Sequence, residues 1–116
     1  MLDFQYKEHV LEIVDEWRKS EKIYSDRDKN KKISKSTISP IIDIYEYSLE
    51  NVNNEEREKF LRKHLQTLST SNAIIINGNE RKDLIKFIKD FLNDKKVMAL
   101  THEQQLFMLQ WLRRLL

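Results

Sequence analysis

The chain has 116 residues, 34% charged and 40% hydrophobic, with one glycine, one proline and no cysteine. That length serves one domain with one modest core, and so few turn residues favour long helices joined by short connections. The net charge is only +2, yet between Arg18 and Ser36 the basic residues Arg18, Lys19, Lys22, Arg27, Lys29, Lys31, Lys32 and Lys35 meet only Glu21, Asp26 and Asp28, so the remainder of the chain is mildly acidic. Such a concentration suits a polyanion partner, and equally a solvated loop. The absence of cysteine excludes disulfides, thiolate metal sites and cysteine nucleophiles. No stretch reaches the roughly 18 apolar residues of a membrane span, and Met1-Leu2-Asp3-Phe4-Gln5 has no signal-peptide pattern. A cytoplasmic protein is expected.

The first helix is predicted from about Asp3 to Tyr24, with Tyr6, Val10, Ile13 and Trp17 on one stripe, Leu11 and Val14 widening it, and charged residues opposite. Residues 25–36 carry no period and almost no apolar content, which predicts a loop. Ser39 before Pro40 reads as an N-cap followed by an N1 proline, opening a second helix to about Val52 with Ile41, Ile42, Tyr45, Leu49 and Val52 inward. Asn53, with Glu56 three residues on, opens a third helix striped by Leu61, Leu65 and Leu68, with Phe60 and His64 alongside and Arg57 on its polar face. The short break predicts antiparallel packing of the second and third helices.

The run Ala73-Ile74-Ile75-Ile76 is too short to classify by period. Asn77-Gly78-Asn79 is a turn signal, and Asn79 is expected to cap a fourth helix to about Asn93. Thr101 with Gln104 forms a capping box for the final helix. From Leu106 onward only Gln110, Arg113 and Arg114 are polar, so that helix is expected in a bundle centre or a subunit contact, with one basic stripe outward. The fold class expected is therefore an all-α, single-domain bundle over residues 1–116, of four to five helices with one basic loop.

Tests for chemistry are mostly negative. Asp26 to Ser34 offers oxygen ligands at several positions of a calcium-binding EF-hand loop, but Lys31 stands where glycine is needed and Thr37 where the bidentate acid belongs. His9, His64 and His102 fall on three different helices without metal-ligand spacing. One glycine cannot build a phosphate-cradling loop, the serines sit at caps and loops, and the helix carboxylates lie on polar faces. No catalytic residue, metal or cofactor is expected, and the chain reads as a non-enzyme.

Binding is the better-supported class. Arg27, Lys29, Lys31, Lys32 and Lys35 of the loop, Arg81 and Lys82 of the fourth helix, and Arg113 and Arg114 of the last are candidate contacts to nucleic-acid phosphates. The aromatics read as buried stripes, not interleaved with those cations. The competing class is a helical protein-binding module, such as an immunity protein, phage-encoded inhibitor or assembly adaptor. It would use Phe107, Met108, Trp111 and Leu115 as its interface.

Across about residues 34–116 the order of features resembles the small helical subunits of type III CRISPR effector complexes. The residues that carry this are Lys32-Ile33-Ser34-Lys35-Ser36-Thr37-Ile38-Ser39, then Leu65 and Leu68 before Asn77-Gly78-Asn79-Glu80-Arg81-Lys82, and finally Trp111-Leu112-Arg113-Arg114. The chain departs from that pattern at Ser39, where one branch has arginine, and at Ile74, Ile75 and Ile76, which replace an aromatic-rich stretch. The resemblance implies a non-catalytic antiviral-defence subunit that stacks in copies beside other protein subunits and holds guide or target RNA by its backbone.

Overall fold

The computed structural model describes residues 4–25, 28–70 and 78–116. Among them lie six α-helices, α1 Phe4–Arg18, α2 Lys35–Asn51, α3 Asn54–Thr70, α4 Gly78–Asn93, α5 Lys95–Met98 and α6 His102–Leu115, with a 3-10 turn at Glu21–Ile23 after α1. Among the described residues the only extended pairing is an isolated antiparallel bridge between Tyr24 and Lys32, so the all-α expectation holds. No helix among them is long and apolar enough to cross a membrane.

Helix α1 ends sooner than its apolar stripe suggested. The Ser20 hydroxyl donates to the Trp17 carbonyl at 2.9 Å and accepts from the Lys22 N–H at 3.2 Å, closing α1 and capping the 3-10 turn. Serine favours such caps because its short side chain replaces a missing backbone partner. Val10, Ile13, Val14 and Trp17 are buried as expected, Leu11 is 37% exposed, and the side chain of Tyr6 lies outside the described residues.

Helix α2 begins at Lys35, so Ser39 and Pro40 are neither its cap nor its first residue. Burial of Ile33 and Ile38 draws the preceding segment into the core, and Ile33 N–H donates to the Ile23 carbonyl at 2.8 Å. The Ser39 hydroxyl then serves inside the helix, donating to the Lys35 carbonyl at 3.0 Å. Pro40 lacks the N–H that would reach back to Ser36, a cost the buried isoleucines on either side outweigh, at about 1.5–3 kcal/mol for each apolar side chain buried.

The turn into α3 hides a second departure. Arg57, expected on a wet face, is 8% exposed. Its guanidinium donates to the carbonyls of Ser48 and Val52 and to the Asn54 side chain, satisfying the orphan end of α2 where the helix dipole attracts a cation. With Tyr47 stacked on Phe60, this fixes α2 and α3 antiparallel. Leu61, Leu65 and Leu68 are buried as their spacing predicts.

Helix α4 starts at Gly78, so Asn79 lies within it and does not cap it, while Ala73 to Ile76 and Asn77 lie outside the described residues. Leu84, Phe87, Ile88 and Phe91 face the core. Trp17 meets Phe87 and Phe91 edge-on at 5.5 and 6.1 Å, and Tyr45 meets Phe91 at 6.1 Å. The capping box of Thr101 and Gln104 opens α6, which packs on α1 and α2 and buries Gln105, Met108, Leu109 and Leu112. Gln105 is held by the Tyr45 hydroxyl at 2.8 Å and by the Val97 carbonyl at 3.0 Å.

Candidate nucleic-acid interface

The basic loop is a closed structure anchored to its surroundings. Ser25 N–H donates to the Lys31 carbonyl at 2.7 Å, Lys31 N–H to the Asp28 carbonyl at 3.0 Å, and Asn30 N–H to the Asp28 carboxylate at 3.0 Å. The last of these makes Asp28 the head of an Asx-type turn. Buried Ile33 plugs the base of the loop, while Lys29, Lys31, Lys32 and Lys35 remain exposed around it. Arg27 lies outside the described residues.

Two contacts decide what the loop sits beside. The Ser25 hydroxyl donates to the carboxylate of buried Asp83 at 3.0 Å, bringing the loop against the first turns of α4. Lys86, one turn beyond Lys82 on the same face, donates to the Glu21 carbonyl at 3.1 Å, so that exposed face of α4 runs along the loop's stem. At the other flank the Arg113 guanidinium reaches the Ser39 hydroxyl at 3.5 Å, bringing the last turn of α6 to the first turns of α2. The ends of α2, α4 and α6 therefore gather the loop lysines, Arg81, Lys82, Arg113 and Arg114 at one end of the bundle.

Ion pairs between described residues engage other cations. Arg18 and Lys19 pair with Asp15, Lys22 with Asp94, Arg62 and His102 with Glu58, Lys86 with Asp90 and Lys96 with Glu16. Hydrogen bonding by His102, then Arg62, holds the Glu58 carboxyl below its ordinary range against the effect of burial. No ion pair with a described residue engages Lys29, Lys31, Lys32, Lys35, Lys82, Arg113 or Arg114.

The expected apolar interface divides in two. Met108 is fully buried and belongs to the core. Phe107, Trp111 and Leu115 are half-buried, and Trp111 meets Phe107 edge-on at 6.2 Å with the Arg114 guanidinium 5.3 Å from its ring centre. An open cleft of about 400 Å³ between α1 and α6 is lined by Lys7, Leu11, Phe107, Gln110 and Trp111, with Arg113 and Arg114 at its rim. Aromatics and cations are thus interleaved here, contrary to the sequence expectation; Lys7 went unnoticed because nothing local ties it to residues a hundred positions later.

A second aromatic group was also missed. Tyr47, 56% exposed, stacks on Phe60 at 5.7 Å, and Phe60 stacks on His64 at 3.9 Å. His64 Nδ1 lies 2.9 Å from the Phe60 carbonyl, so that nitrogen carries the hydrogen. Asp43, Glu55 and Glu56 border this surface together with Lys59 and Lys63. His9 is exposed and His102 contacts Glu58; among the described residues no group of three or more metal-ligating side chains gathers. Compared with known proteins, the chain matches no family model, no curated protein and no solved structure.

Proposed function

We propose that the chain is a non-catalytic binding subunit that grips the phosphate backbone of single-stranded RNA, as its resemblance to small subunits of type III CRISPR effector complexes implies. The observation that supports this is the gathering of cations at one end of the bundle, of which Lys29, Lys31, Lys32, Lys35, Lys82, Arg113 and Arg114 form no ion pair with a described residue. Phosphates supply the missing counter-charge, and the contact is with backbone, not base sequence. Other protein subunits are partners in this reading.

The test is fluorescence anisotropy of a labelled single-stranded RNA between about 50 and 200 mM salt. Each phosphate neutralised contributes about 0.7 to the slope of log affinity against log salt. If Lys29, Lys31, Lys32 and Lys35 each cover one, replacing all four by Ala lowers the slope by about 2.8, removing a factor of about 50 from the affinity lost over that range. Arg113 and Arg114 together account for about 1.4 more. A flat salt response, or a slope unchanged by the quadruple substitution, overturns the assignment.

A second surface favours a protein contact for the same subunit. The Tyr47, Phe60 and His64 rings form a stacked ladder with Tyr47 exposed at its end, bordered by both signs of charge, Glu55 and Glu56 with Lys59 and Lys63, a mixed rim that suits a protein surface.

A further inference from the structure

The α1–α6 cleft has a composition that distinguishes it from the other aromatic surface. No carboxylate of a described residue lines it; its charged groups among those residues are Lys7, Arg113 and Arg114, whereas Glu55 and Glu56 stand beside Lys59 and Lys63 at the other surface. Its aromatic lining is half-buried Trp111 with Phe107 edge-on, and the Gln110 side chain, with both a donor and an acceptor, lines it as well. An apolar protein anchor would leave the three cations of this lining unused, and a bare phosphate would leave the indole unused. An unpaired nucleotide uses both.

We infer that this cleft is a nucleobase-stacking subsite, in which one unpaired base of a single strand lies against Trp111 while Lys7, Arg113 and Arg114 hold the flanking phosphates. The inference rests on the single-strand reading above and adds base engagement to it. At about 400 Å³ the cleft falls within the range of small-ligand sites, about 300–1,000 Å³, and admits a single nucleoside. Base–aromatic stacking tolerates any base because every base has a π face, and the Arg114 guanidinium already lies over the indole in the layered arrangement such sites use. Gln110 can hydrogen-bond a base edge without fixing its identity. Arg113, bonded to Ser39, continues the phosphate path from this cleft to the basic loop.

The chain contains two tryptophans, which supplies the readout. Trp17 is 1% exposed and bonded to Asp94, so a bound strand changes the emission of Trp111 alone. The full chain is titrated with oligouridylate, with oligothymidylate, and with an abasic oligomer of equal length and charge, following fluorescence and anisotropy together. The base-bearing strands are expected to quench Trp111 and to bind about 5- to 140-fold more tightly than the abasic one, the equivalent of about 1–3 kcal/mol for one stacked base. Quenching by both assigns the subsite to any unpaired base, and quenching by oligouridylate alone assigns it to RNA.

Trp111→Leu should remove that preference while keeping most of the salt slope, and Gln110→Ala, which leaves the aromatic packing intact, should reduce the preference by a smaller factor. Equal, salt-dependent binding of abasic and base-bearing strands to the unaltered chain overturns the subsite and leaves the phosphate reading standing. Failure of all three oligomers to bind overturns both.

Discussion

Replacing Asp94 by Ala tests the joint that holds the loop's stem in position. The Asp94 carboxylate accepts from Trp17 Nε1 at 3.1 Å, from Lys22 Nζ at 2.7 Å, and from the Lys96 and Val97 N–H groups at 2.9 and 3.1 Å, so one side chain ties α1 and the 3-10 turn to the start of α5. Losing an N-cap costs about 1 kcal/mol. Leaving the indole N–H of buried Trp17 unpaired costs about 1–3 kcal/mol. Lys22 is 38% exposed, so its pair adds less than a buried one would, about 0.5 kcal/mol. The total is about 3 kcal/mol, which lowers the urea midpoint by roughly 2 M for an m-value of about 1.5 kcal/mol/M. The cap N–H groups bond Oδ1 and the indole and Lys22 bond Oδ2, so Asp94→Asn keeps an oxygen for the cap alone, sets an NH2 against Trp17 Nε1, and should cost about 2 kcal/mol, less than Ala by the cap's share. Burial pushes the Asp94 carboxyl up, but the Lys22 hydrogen bond, the Val97 N–H, the Lys22 charge and Trp17 together hold it below its ordinary value. A depressed carboxyl contributes stability above its unfolded value of about 3.9 and loses it as pH falls through the folded value. The Asn variant should therefore show a shallower acid limb than the unaltered chain, with the contributions of Glu58 and Asp15 retained. Equal urea midpoints for the Ala and Asn variants would refute this account of the joint.

Two further substitutions probe the core and the second surface. Tyr45→Phe leaves the Oε1 of buried Gln105 without its donor and should cost about 1–3 kcal/mol, with a coupling to Gln105→Leu of at least about 0.5 kcal/mol in a double-mutant cycle read by urea denaturation. Burial, then the Glu58 charge, pushes the pKa of the Tyr45 phenol up, so an alkaline absorbance titration should find it protonated well after ordinary phenols have ionised near pH 10. Tyr47→Ser, on the α2–α3 ladder, is expected to leave single-stranded RNA affinity within about twofold, since an exposed site away from the loop and last-helix cations contributes little. A larger loss would mean that the strand crosses the α2–α3 face.

The helix stripes were legible because burial repeats with the helical period: Val10, Ile13, Val14 and Trp17, or Leu61, Leu65 and Leu68, need no tertiary knowledge. The capping box of Thr101 and Gln104 was legible for the same local reason. Elsewhere a local signal competed with a distant one. Ser39-Pro40 is a good helix start, yet burial of Ile33 and Ile38 begins α2 more than a turn earlier. Asp94 before Lys95, Lys96 and Val97 is itself an N-cap signal for α5, and reading it would have found that helix, though not the bonds to Trp17 and Lys22. Arg57 looked solvated because only the fold brings it to the end of α2. At the candidate site the cations were legible by type, whereas their meeting depends on Ser25 with Asp83 and Arg113 with Ser39, pairs that only the fold creates.

The cationic end is also where the free chain is least at ease with itself. The positive end of the α2 dipole carries Lys35, and the Ser34 hydroxyl bonds to those of Ser36 and Thr37, capping no backbone N–H. Lysines crowd the loop above it, and Arg113 approaches from α6. Each of these is unfavourable beside the others and favourable beside an anion, so a bound strand should stabilise the fold by more than the same strand stabilises a chain whose loop lysines are alanine. By linkage, RNA at about a hundred times its dissociation constant contributes about 2.7 kcal/mol, several degrees of melting temperature for a domain of this size. The quadruple lysine variant without RNA should melt at or above the unaltered chain, because like-charge repulsion has been removed, and should gain less from the same RNA concentration. If it melts markedly lower, the lysines stabilise the free fold, and their place at this end needs no anion to explain it.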